Sequence, residues 1–260
     1  MPTDLMPAAV PLSASASAPA PTPAAPATGA APALPRLAIF GAGGLGREVL
    51  VLAHQINEAA PTWELLGFFD DQPPVVPNGL GLPYGGTGAD LLALAARSAA
   101  TGAGLLHVAV AVGSPAARAA VVTRLQAGSG AGLHFPALIH PGVARQPYQR
   151  LRIGAGCLVQ QGCVLTTDVA LGDFVLLNLG CTVGHDARLA DFCSLMPHAN
   201  VGGAARLETG VYLGTNATVI QDVRIGARTV LGAGAVAVRD LPADITAVGI
   251  PAKEVLGFKG

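Results

Sequence analysis

One register governs the second half of this chain. From Ile153 every sixth residue is aliphatic: Val159, Leu165, Leu171, Leu177, Val183, Leu189, Leu195, Val201, Leu207, Leu213, Val219, Ile225 and Leu231 complete fourteen positions without an exception. The fifth residue of each hexad, from Cys157 to Ala235, is small or β-branched, and the second is Gly in seven hexads, from Gly154 to Gly232. A helix cannot use a period of six, because its roughly 3.6 residues per turn would smear such a stripe around its surface. Short strands with a corner every six residues can. Three hexads make a triangular coil of 18 residues, so fourteen hexads give between four and five coils. Coils stack at the roughly 4.8 Å spacing of neighbouring strands, piling the aliphatic residues into one inner column. A β-sandwich with Gly-rich turns would have irregular strand spacing and could not hold a register over 84 residues.

The four cysteines, Cys157, Cys163, Cys181 and Cys193, all fall at the fifth position, where a small buried side chain is wanted. Cys163 and Cys181 lie one coil apart and are expected to stack without needing a disulfide. No CxxC or Cys/His ligand spacing occurs, so no metal is expected.

Upstream, strands alternate with helices. Arg36–Phe40 reads as a buried strand, followed by Gly41-Ala-Gly-Gly-Leu-Gly46 and a helix from Glu48 to Ile56. This is G-x-G-x-x-G between strand and helix, with Gly41, Gly43, Gly44 and Gly46 able to bring backbone amides to a phosphate. At Gly43 a side chain is expected both to block the phosphate and to strain the turn. A second strand, Trp63–Phe69, ends in Asp70-Asp71 at the carboxyl edge, where open α/β sheets bind ligands. A third, Leu106–Val112, runs into Gly113-Ser-Pro and a helix carrying Arg118 and Arg124. The loop reports a phosphate more than a particular nucleotide. About 100 residues are too few for the two halves of a dinucleotide fold, which favours a nucleotide-sugar diphosphate over NAD.

Charge is balanced, with 15 basic and 16 acidic residues, so nothing marks a nucleic-acid groove or an anionic membrane surface. No apolar run approaches the roughly 20 residues of a membrane span. Residues 1–35 hold nine of the 21 prolines among Ala, Ser and Thr and read as a disordered tail. With no basic residue before Arg36, this stretch lacks the start of a secretory signal, and a cytoplasmic protein is expected. The domain division is therefore 1–35 tail, 36–137 Rossmann-like domain and 138–256 β-helix.

Of six histidines, His54, His107 and His134 read as structural or solvated, and His140 marks the junction in Ile139-His-Pro-Gly142. His198 could line a cleft. His185 is the better candidate, at the third position of its hexad and outside the aliphatic column, between Gly184 and Asp186. Gly203, 18 residues on, should lie beneath it with an approachable N–H, as an oxyanion donor requires.

GAGGLGRE after the first strand, GFFDD at the second, LIHPGV, the hexads, NLGCTVGHD and a closing VGIPAK together resemble a bacterial family. It contains sialic-acid O-acetyltransferases and nucleotide-amino-sugar N-acetyltransferases of surface-polysaccharide biosynthesis. The resemblance spans roughly residues 36–256 and implies a left-handed parallel β-helix after a small α/β domain, and a homotrimer with active sites between subunits. It implies acetyl-CoA as co-substrate and direct transfer onto an amino or hydroxyl group of a nucleotide-linked sugar. His185 then corresponds to the catalytic base, Asp186 to its acidic partner, Asn178 to an active-site Asn and Gly203 to the amide on the thioester. Further acetyl-CoA contacts fall on Thr215, Ala233 and Lys253, and the nucleotide-sugar contacts on the glycine loop with Asp70 and Asp71. Some N-acetyltransferases of the family carry a second His nine residues after the base, where this chain has Ser194. A hydroxyl cannot replace imidazole as base, so N- versus O-acetylation stays open. A zinc carbonic anhydrase on the same scaffold would need a third His beside His185 and His198, which the hexads lack. A trimeric nucleotide-sugar-binding scaffold without turnover is the non-enzymatic alternative.

Overall fold

The computed structural model describes residues 33–73, 81–130 and 132–255, so the expected tail lies outside the described residues except for its last three. The first strands and helices are β1 (Arg36–Phe40), α1 (Gly44–Ala59), β2 (Glu64–Phe69), β3 (Tyr84–Gly86), α2 (Gly88–Ala100), β4 (Leu106–Val110), α3 (Pro115–Ser129) and β5 (Leu133–His134). They form one parallel sheet in the order β3-β2-β1-β4-β5. Alternate residues of β1 serve opposite faces, as strand geometry dictates. Leu37 and Ile39 pack with α1, whereas Ala38 and Phe40 pack with α2 and α3. The helix after the glycine loop starts earlier than expected, at Gly44, so Gly44 and Gly46 belong to its first turn.

After β6 (Leu138–Ile139) the chain enters the hexads, and from Arg152–Ile153 to Val236–Ala237 each forms one two-residue strand. Strands 18 residues apart pair in parallel register, Leu177 on Leu195 and Val183 on Val201. This is the parallel β-helix expected from the register, with the left hand that the resemblance implies. Leu177, Val183, Leu195 and Leu213 are fully buried in the column, and burial of each such side chain stabilises the fold by about 1.5–3 kcal/mol. The four cysteines are buried and free.

The helix has three faces. On the first, outward residues Leu158 and Leu176 pack against α1, which is thereby held between sheet and coils. The second carries Arg152, Arg188, Arg206 and Arg224 outward, all exposed. The third carries Val164, Thr182, Asn200, Thr218 and Val236. We call them the covered, basic and neutral faces.

Corners explain both the glycines and a pattern the glycines conceal. A Cβ on Gly184 would lie 2.7 Å from the Gly203 nitrogen one coil on, so second-position glycines allow backbone-to-backbone stacking. The fourth residue of every hexad from Gly156 to Gly234 has positive φ, yet only five of these fourteen are Gly. Phe174 and Phe192 occupy two of them, at φ 55° and 60°. That conformation costs roughly 1–2 kcal/mol for an L-residue. Here the rings stack on each other at 5.3 Å, and Phe135 meets Phe174 edge-on at 5.3 Å. The strained corner thus supplies the aromatic packing that joins the coils to the α3 side of the sheet. Among the described residues, no helix is long and apolar enough to cross a membrane.

Candidate active site

His185 and Asp186 form the corner between the neutral and basic faces. Asp186 takes the left-handed conformation (φ 61°), which a short polar side chain tolerates. That turn brings its Oδ2 to 2.9 Å from His185 Nδ1. Both side chains are open to solvent, at 65% and 62% exposure, so the pair serves to orient the ring more than to stabilise the fold. With the carboxylate accepting from Nδ1, the tautomer leaves a lone pair on Nε2. The ring lies over the next coil: a Cβ built on Gly203 would be 2.5 Å from Nε2. The Gly203 N–H donates to no acceptor among the described residues. A base nitrogen and a free amide donor therefore share one exposed corner.

Other expected residues gather elsewhere. Thr215 and Ala233 sit exposed on the opposite corner of the neutral face, where Asn178 begins the turn. Asn178 is only 8% exposed and its Oδ1 accepts from Leu179 N at 2.7 Å. Within one chain, then, His185, Asp186 and Gly203 come together, while Asn178, Thr215 and Ala233 are separated from them by a face. Lys253 is exposed on the short Lys253–Glu254 strand that closes the covered sheet. His198 is exposed at the Asn178 corner, its ring against Gly180 one coil earlier. Nδ1 of His140 accepts from Gly142 N at 3.0 Å and shapes the junction turn. Among the described residues no three His, Cys, Asp or Glu side chains stand close enough to hold a metal.

At the carboxyl edge of the sheet the chain continues from β1 to opposite sides, β2 on one and β4 on the other, and the loops after β1 and β4 meet at the kind of switch point where open α/β sheets bind ligands. Gly41 needs its positive φ of 113°, and a Cβ there would lie 2.5 Å from the Ala111 carbonyl oxygen. Among the described residues nothing lies within 4 Å of a Cβ on Gly43 or Gly44, and none caps α1 with a side chain. Its first-turn amides are thus free for an anion. One expectation is corrected: Gly43 has φ −80°, so a side chain there obstructs the approach without straining the turn.

The acidic pair divides its work. Asp70 Oδ2 accepts from Ala42 N at 2.8 Å and holds the glycine loop, while Oδ1 accepts from Gln72 N. Asp71 turns to α2, accepting from Gly88 N at 3.1 Å and pairing with Arg124 at 2.6 Å.

Ser194 is fully buried, accepting from Arg118 Nη2 at 2.9 Å and donating to the Gly113 carbonyl at 2.8 Å. Its difference from a second histidine therefore bears on the joint between sheet and coils. A hydroxyl so committed has no part in deprotonating an acceptor.

Residues 36–125 match the PglD N-terminal domain. Among solved structures, perosamine N-acetyltransferase from Caulobacter crescentus, in complex with CoA and GDP-perosamine, is 30% identical, with 86% of this chain and 98% of that chain covered and a TM-score of 0.74. The acetyltransferase domain of PglB from Neisseria gonorrhoeae, in complex with acetyl coenzyme A, is 32% identical over 86% of this chain and all of that one, with a TM-score of 0.73. WeeI from Acinetobacter baumannii, 24% identical with a TM-score of 0.70, shares the fold. No curated protein sequence matches the chain.

Proposed function

Because this chain belongs to the hexapeptide-repeat nucleotide-sugar acetyltransferases, we propose that it moves the acetyl group of acetyl-CoA onto an amino group of a nucleotide-linked sugar, with His185 as general base. The observation that carries this is the His185 ring lying over Gly203, with Nε2 2.5 Å from where a Cβ would stand, and a Gly203 N–H that donates to no acceptor among the described residues. His185 Nε2 takes the proton from the attacking amine as its nitrogen bonds to the thioester carbonyl carbon. The Gly203 N–H donates to the oxyanion, and collapse of the tetrahedral intermediate expels the CoA sulfur, which takes up a proton. Asp186 holds the ring and balances the imidazolium charge. Base assistance is typically worth roughly 10²–10⁴-fold, and a single oxyanion donor about 10²–10³-fold.

The free amides of α1 and the Gly43–Gly44 opening support binding of the acceptor's diphosphate in the 36–137 domain, with Asp70 shaping the loop. The 138–256 domain would supply the transfer chemistry. An amine is favoured over a hydroxyl because perosamine N-acetyltransferase is the relative at 30% identity. A homotrimer is supported by the two separated groups of site residues. Packing the neutral face of one copy beside the His185 corner of its neighbour would join Asn178, Thr215 and Ala233 to His185 in one acetyl-CoA cleft, with Lys253 toward the coenzyme's phosphates. That face exposes Val164 (53%), and the corner it shares with His185 exposes Ile220 (38%) and Val238 (45%), apolar surface suited to a second copy. The cytoplasm, which supplies acetyl-CoA and activated sugars, is the matching compartment.

The test is turnover: release of CoA thiol from acetyl-CoA with a panel of nucleotide-linked amino sugars, their free sugars and sialic acid, and mass analysis of the products. An N-acetylated nucleotide sugar is expected. Acetylation confined to hydroxyls of free sugars would overturn the acceptor assignment, and absence of any transfer would return the scaffold reading.

A further inference from the structure

Arg118 is 1% exposed, the largest side chain so fully buried among the described residues, and no carboxylate faces it. All its bonds go to neutral oxygens. Nη1 donates to the carbonyls of Val112 at 2.6 Å and Gly113 at 3.2 Å, in the loop after β4. Nε donates to Phe174 O at 3.0 Å, and Nη2 to Phe192 O, Cys193 O and Ser194 Oγ at 3.0, 3.1 and 2.9 Å, all in the coils. Ser194 closes the ring by donating back to Gly113 O. Burial lowers the guanidinium to about 10, leaving it charged at neutrality. The thiols nearest it, Cys193 and Cys157, are pushed up by burial to about 12 and about 11 and stay neutral.

A buried charge without a counter-ion is an expensive way to fill space, and an apolar side chain of similar volume is often the more stable choice. Packing of α3 does not require it either, since Val122 and Leu125 already seat that helix on the sheet. What the guanidinium does, and an apolar side chain cannot, is fix two backbone segments in one rigid fork. One segment, Val112–Gly113, is a wall of the crevice at the switch point between β1 and β4; the other is the pair of corners at Phe174 and Phe192.

The geometry points to Arg118 as a positioning residue for acetyl transfer: through Ser194 and the coil carbonyls it holds the β4 wall of the acceptor crevice at a set height along the β-helix. The inference rests on the proposed binding of a nucleotide-linked acceptor in that crevice. A misplacement of about 1 Å far from the chemistry can cost on the order of 10²-fold. The role therefore concerns acceptors anchored by their nucleotide, and leaves the His185 corner itself unchanged.

Arg118→Lys keeps the charge and loses the fork, and Ser194→Ala removes the hydroxyl that links Arg118 to Gly113. Each variant is assayed well below its Tm with a nucleotide-linked amino sugar and with the same sugar lacking the nucleotide. Arg118→Lys should lower kcat/KM for the linked acceptor about 10–100-fold and Ser194→Ala about 3–10-fold. Transfer to the unlinked sugar and the KM for acetyl-CoA should change less than about twofold. Equal losses on both acceptors, or a lowered Tm with unchanged kinetics, would make Arg118 a purely structural residue and overturn the inference. If Arg118→Lys fails to fold, Ser194→Ala decides by the same criteria. Wild-type protein that does not use the linked acceptor sinks the crevice reading itself, and this inference with it.

Discussion

At the His185 corner, two substitutions separate the chemistry from the geometry that holds it. His185→Ala removes the proposed proton acceptor and should lower kcat at least about 10²-fold in the assembled protein. Tm should barely move, because the side chain is 65% exposed and outside the aliphatic column. Gly203→Ala leaves the base and the amide in place, but its Cβ would start 2.5 Å from Nε2. The ring must swing away, and a loss of comparable size is expected. A Gly203→Ala enzyme with wild-type turnover would show that the imidazole does not work over that glycine. In the sheet domain, Gly43→Leu should raise the acceptor KM with little change in Tm, since φ is −80° and the position is open. A large fall in Tm there would contradict the relaxed loop.

At the scale of elements, each coil rests on its two neighbours, so damage to the column should stay local in structure while still lowering stability. Leu177→Ala, at a fully buried position between Val159 and Leu195, should cost about 2–5 kcal/mol in denaturant unfolding. A change under about 1 kcal/mol would mean that the coils close over the gap. Column and turn were readable for the same reason: each hexad repeats the same demand, so fourteen positions vote for one period. The left-handed fourth position was not, because Asp, Phe, His, Ala, Asn and Arg all occupy it and no residue type marks it. That His185 lies over Gly203 was legible because an 18-residue step in sequence is a one-coil step in space. Arg118 was not. On a helix it reads as a solvated charge, and its coil partners lie 56 to 76 residues away. The start of α1 inside the glycine loop was missed because glycine is a poor interior helix former, yet here Gly46 packs directly on the Gly41 carbonyl.

For the whole molecule, the arrangement of site residues makes a statement about assembly. His185 and Gly203 stand on one corner of the neutral face and Thr215 on the other, so on the proposed reading a cleft that uses both would be completed between copies. Light scattering should give the mass of three chains. Val164→Asp with Val238→Asp would place charges at both ends of the exposed apolar surface and should yield monomers whose circular dichroism is unchanged, since the column lies within each chain. A sharper test mixes two inactive proteins. His185→Ala lacks the base, whereas Thr215→Trp obstructs the opposite corner, and each homotrimer should be inactive. In trimers reassembled from equal amounts, every interface draws its His185 corner from one chain and its Thr215 corner from the next. Both corners are intact in roughly a quarter of interfaces, as cyclic symmetry with random mixing requires. Mixing should therefore restore about a quarter of wild-type activity from two inactive components. If instead each chain carried its own complete site, no mixture could contain an intact one, and activity would stay at background however long the chains exchanged.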